Sequence, residues 1–66
     1  SAAFGDRDGR FYAELLAAVA NGARTTSAVA RRVDASPAVT ADALAQLESE
    51  DLLEQVGEEW RLTASE

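Results

Sequence analysis

The sequence predicts a mainly α-helical domain closed by a small β-hairpin, in the order α-α-α-β-β. Three observations carry that expectation. Apolar residues recur at helical spacing from Phe11 to Val19 and stop at Asn21-Gly22. Two shorter helical stretches follow, separated only by Asp34-Ala35, and helices joined by so short a turn cross steeply. After Asp51 the period changes from helical to alternating, with Gly57 between two short runs.

Each element has a local reason. In the first helix Phe11, Leu15 and Val19, with Tyr12 and Leu16 beside them, form one wide stripe, which reads as a core-facing surface. Asp6 or Asp8 is expected to cap it, which leaves residues 1–7 as a flexible tail, with Phe4 docking on the core. Gly22 supplies the left-handed residue that a helix end needs. Ala23-Arg24 is a connector with room for a stub of strand.

Thr25-Thr26-Ser27 offers capping hydroxyls to a second helix, about Thr26 to Val33, which buries Val29, Ala30 and Val33 and projects Arg31 and Arg32 outward. Ser36-Pro37 opens a third, about Pro37 to Ser49. Ser is a favoured cap, and Pro fits the first helical position, where its missing N–H is no loss. Leu44 and Leu47, with Thr40 or Ala43, form its buried side. Leu52 to Val56 and Trp60 to Thr63 read as the two strands, with Trp60 and Leu62 on one face. The domain is expected to span residues 8–63, with 64–66 a second tail.

Composition sets bounds. A 66-residue chain makes one small domain, which buries only about 60% of its unfolded surface. With no Cys and no His there is no disulfide framework, no thiolate site and no typical zinc site, so no metal or cofactor is expected. No apolar run is long enough for a membrane span, and no basic segment leads an apolar stretch as in a signal peptide, so a cytoplasmic location is expected. The chain opens on Ser1 rather than Met, which points to a domain from a longer protein. No nucleophile–base pair can be assembled, so an enzyme is not expected. The formal charge is −6, and every basic residue is Arg. Taken alone, that acidity repels phosphate polymers.

Two segments carry a family likeness. Leu47-Glu48-Ser49-Glu50-Asp51-Leu52-Leu53, followed by Trp60-Arg61-Leu62-Thr63, resembles the "LeeeGLv…yrLT" signature of winged helix-turn-helix domains. Ala20 to Ala30 is similar to the "a-n-G-x-r-T-x-s-e-i-A" entry into their second helix. The likeness covers roughly residues 8 to 63 and is shared by regulators of the MarR, ArsR and PadR kinds and by winged domains of archaeal ATPases. Where the family commonly has Gly this chain has Asp51, which takes the left-handed conformation less readily.

The resemblance implies double-stranded DNA as partner and a transcription regulator as parent. The third helix would enter the major groove, with Ser36, Ala38, Val39, Ala41, Asp42 and Ala45 facing the bases. Thr26, Ser27 and Arg31, with Arg32 on the outer face of the same helix, would lie near phosphates, and Arg61 would serve the wing. Against this, the reading surface lacks Arg, Lys and Asn and has only Gln46 at its end, whereas base readout relies on such side chains. The alternative is a protein partner docked on Ala38, Val39, Ala41 and Ala45 within an acidic rim. Family regulators usually dimerise through extra segments, so this stretch is expected to be monomeric even where the parent is dimeric.

Overall fold

The computed structural model describes the backbone of residues 2–63 and the side chains from Gly9 to Thr63. Three helices, α1 (Ala2–Ala20), α2 (Thr26–Val33) and α3 (Pro37–Ser49), are followed by an antiparallel hairpin, β1 (Leu53–Val56) and β2 (Glu59–Leu62). This is the winged helix-turn-helix architecture. None of the described helices is long and apolar enough to cross a membrane.

All three helices stop in the same way. At each end one residue takes a positive φ: Gly22 at 110°, Asp34 at 59° and Asp51 at 65°. At each end the next N–H reaches back five residues: Ala23 to the Ala18 carbonyl, Ala35 to Ala30 and Leu52 to Leu47, each at 3.0 Å. A second bond closes each turn, from Gly22 to Val19, Asp34 to Arg31 and Asp51 to Glu48. These are Schellman closures, which satisfy carbonyls that a helix end leaves unpaired.

Two of the three positions lack the residue best suited to them. Left-handed backbone costs an L-residue roughly 1–2 kcal/mol, moderated for Asp, while Gly loses about 0.5–1 kcal/mol in chain entropy. Asp51→Gly is therefore expected to stabilise the domain by about 0.5–1 kcal/mol and to raise Tm by about 2–8 °C in a thermal melt. An unchanged or lower Tm would show that the Asp51 side chain supplies a compensating interaction.

The start of α1 differs from the expectation. The helix begins at Ala2, not at Asp6 or Asp8. Once the turns from Phe11 to Val19 are held by packing, each added N-terminal residue gains a bond at low cost, and Ala2 and Ala3 are strong helix formers. The expected contact of Phe4 lies outside the described side chains, as do residues 64–66.

The N-caps of α2 and α3 form as expected. The Thr25 hydroxyl accepts from Ala28 N–H and the Ser36 hydroxyl from Val39 N–H, each at 3.2 Å. The core gathers Leu15, Ala18 and Val19 from α1, Val29 from α2, Ala43, Leu44 and Leu47 from α3, then Leu53 and Trp60. Phe11 and Val33, expected inside, are half-buried at its margin. Thr40 is fully buried, and its hydroxyl has no partner among the described residues, which costs about 1–3 kcal/mol that packing must offset.

The hairpin turns on Gly57-Glu58. Gly57 has φ 65° and Glu58 does not have a positive φ, which is the pattern of a type II′ turn. Leu53 pairs with Leu62 and Gln55 with Trp60. Trp60 is buried as expected, but Leu62, expected on the same face, is 44% exposed at the end of the strand. A lone hairpin is marginal in water, so the wing needs its anchors. Thr63 holds the base of the wing by donating its hydroxyl to the Asp51 carbonyl at 2.7 Å and its N–H to Leu52. The expected stub of strand after α1 shrinks to one backbone bond, Trp60 N–H to the Arg24 carbonyl at 2.6 Å.

Candidate nucleic-acid interface

The turn Asp34–Ser36 sets α3 across α2, and an open depression of about 570 Å³ runs beside the crossing. Thr25, Ser27, Ala28, Arg31, Asp34, Ala35 and Pro37 line it, with Ala30 at its floor. Arg31 belongs to this flank. Arg32, the next residue, is about 100° further round the helix. Both are exposed, as is Arg24 just before α2. Among the described residues none of these three arginines is in an ion pair.

Arg61 is in a different state. Its Nε donates to Glu54 Oε2 at 2.7 Å, between cross-strand partners, so a phosphate would have to compete with a carboxylate already in place. Glu58 and Glu59 stand at the turn beside it.

The outward side of α3 holds the other expected residues. Thr40, Ala43, Leu44 and Leu47 are buried, while Ser36, Ala38, Val39, Ala41, Asp42 and Ala45 are all exposed. Ala38, Asp42, Ala45 and Ser49 succeed one another at helical steps along the middle of that side, with Ala41 on one flank and Val39, 54% exposed, on the other. All four apolar residues are exposed on α3, Ala38, Ala41 and Ala45 as helical neighbours and Val39 across Asp42 from them, with the carboxylates of Asp42 and Glu48 beside them.

Charge is thus divided between two segments of the chain. From Pro37 onward the described residues carry Asp42, Glu48, Glu50, Asp51, Glu54, Glu58 and Glu59 against Arg61 alone. The segment from Gly9 to Ser36 carries Arg10, Arg24, Arg31 and Arg32 against Glu14 and Asp34.

Thr26 differs from its exposed neighbour Ser27. It is half-buried, and its Oγ1 accepts a hydrogen bond from the Trp60 indole N–H at 3.0 Å. Sequence reading places each of these two residues in its element but not against the other, because 34 positions separate them and no local pattern reports on that pairing.

Three helices, with α2 and α3 joined by a short turn and in contact, and a two-stranded flap define a winged helix-turn-helix domain. The helix-turn-helix family model described as "Cmi2, C-terminal" matches residues 1–60, and the chain belongs to that family. No curated protein matches the chain.

Proposed function

We propose that this domain is a DNA-binding module of a cytoplasmic transcription regulator, and that it holds duplex DNA chiefly by the phosphate backbone. The observation that carries this is the set of exposed arginines around α2, Arg24, Arg31 and Arg32, which have no ion-pair partner among the described residues of a chain otherwise rich in acids. Each can displace a condensed counterion when it meets a phosphate. Ser27 and Thr26 add hydroxyls on the same helix. The first turn of α3, from Ser36 to Ala41, would face the major groove.

Base readout is weak in this reading. Ala38, Val39, Ala41 and Ala45 offer only methyl contacts to thymine, and Asp42 can accept from cytosine N4 while repelling nearby phosphates. The wing contributes little, because Arg61 is already paired and its neighbours are acidic.

Arg31→Ala and Arg32→Ala are each expected to weaken binding to every duplex alike and to reduce the salt slope by about one. Fluorescence anisotropy with random-sequence duplex reads both effects. Unchanged slopes for both variants would rule out phosphate contact by α2.

The exposure of all four apolar residues on α3 supports a second reading, in which a protein partner covers Ala38, Val39, Ala41 and Ala45. A glutamate at Val39 would replace the largest apolar side chain of that contact with a charge. Val39→Glu is expected to abolish partner capture by the parent protein while leaving the melt of the domain unchanged. Capture that survives the substitution removes this reading.

A further inference from the structure

Trp60 does more than fill the core. Its indole N–H ends on Thr26 Oγ1 and its backbone N–H ends on the Arg24 carbonyl, so one wing residue grips both sides of the α2 entry. A hydroxyl has one proton to donate and two lone pairs to accept with. With one lone pair of Thr26 committed to the indole, its proton is turned away from the buried ring. Trp60 is 4% exposed and Thr26 is half-buried, and Thr26 stands in the chain between Arg24 and Ser27, which are both exposed. A preset donor beside a guanidinium suits an acceptor-only partner, and a phosphate oxygen is one.

We infer that Trp60 is a positioning residue for nucleic-acid phosphate: it presets Thr26 as a hydrogen-bond donor and fixes the backbone from which Arg24 extends, and so ties the wing to the grip of α2 without touching DNA itself. This inference rests on the DNA-binding reading above. It gives the wing an indirect part in binding, although its own surface is acidic and its one arginine is engaged.

The test is a double-mutant cycle read by anisotropy on random duplex at low salt, with each variant first shown to be folded by far-UV circular dichroism. Trp60→Phe keeps most of the apolar bulk and removes the indole donor. Thr26→Val removes the hydroxyl, and Thr26→Ser retains it. Trp60→Phe and Thr26→Val are each expected to weaken binding about three- to tenfold, the worth of one ordinary hydrogen bond. The pair together should be no worse than the weaker single variant, because both remove the same donor. Trp60→Phe combined with Arg32→Ala should multiply. The salt slope of Trp60→Phe should match the wild type, since a neutral donor releases no counterion.

Should Trp60→Phe fail to fold, the Thr26 pair decides. Binding kept by Ser and lost by Val supports the assignment, and wild-type binding by Val overturns it. Folded Trp60→Phe with wild-type affinity, or losses that multiply with Thr26→Val, also overturns it while DNA binding stands. A wild-type domain that binds no duplex at low salt overturns the DNA reading and this inference together.

Discussion

Replacing Trp60 with alanine is expected to destabilise the domain by about 3–5 kcal/mol and to unfold it as a unit. The reasoning starts from scale. A chain of this length holds about 3–10 kcal/mol in total, so one large aromatic is a major fraction of it. Trp60 is the only residue of β2 that is buried, and β2 packs against α1. Truncating the indole empties the space between hairpin and helices and removes its bond to Thr26. Leu53 then loses the cover on one side, and a hairpin without a packed face is marginal. Thermal and urea melts followed by far-UV circular dichroism test this. Helices that melt as in the wild type, with only the tryptophan-free flap loosened, would show that the three-helix unit stands by itself.

The second large effect is expected at Leu44. It is fully buried on α3, in the cluster that joins α1, α2 and the hairpin. Leu44→Ala removes several methyl contacts and leaves a cavity that surrounding helices close only in part, a loss of about 2–5 kcal/mol. Leu52 provides the control within the same chain. It is 43% exposed, so Leu52→Ala should fall within about 0.5 kcal/mol. Urea midpoints for the two variants separate the cases. Equal losses at both sites would mean that Leu52 is covered in solution or that the α3 core is loosely packed.

Both expectations depend on features of unequal visibility in the amino-acid chain. The α2 and α3 boundaries were legible because Thr25, Ser36 and Pro37 act on their own neighbours, within three residues. Gly22 announced the end of α1 for the same reason. Asp51 became interpretable through the family pattern, which places Gly there. Asp34 showed only as an interruption, since aspartate is common in turns of many kinds. The N-terminus of α1 misled because Asp6 and Asp8 are good caps, yet a helix secured further along extends past a local stop signal.

The candidate interface was legible in its residue types but not in its contacts. Arg31 and Arg32 followed from the outer face of a short amphipathic helix. Pairing of Arg61 with Glu54 depends on hairpin register, and the expected strands left residues 57–59 at the turn where the structure has only Gly57-Glu58, a difference that decides who stands opposite whom. The Trp60–Thr26 contact depends on how the wing folds back over α2, and only the assembled fold specifies that. The division of charge, by contrast, was legible in the chain itself, because it falls between the segment up to Ser36 and the segment from Pro37 onward.

On the proposed reading, this domain meets DNA through guanidinium groups on phosphate, with little discrimination among bases. Equilibrium anisotropy on AT-rich, GC-rich and random duplexes, across a range of salt, addresses that claim directly. It predicts affinities that agree within about threefold among the three duplexes and a plot of log K against log salt with slope near −3, from three phosphate contacts at roughly 0.9 each. A slope near zero, or a preference of a hundredfold or more for one duplex, would contradict it.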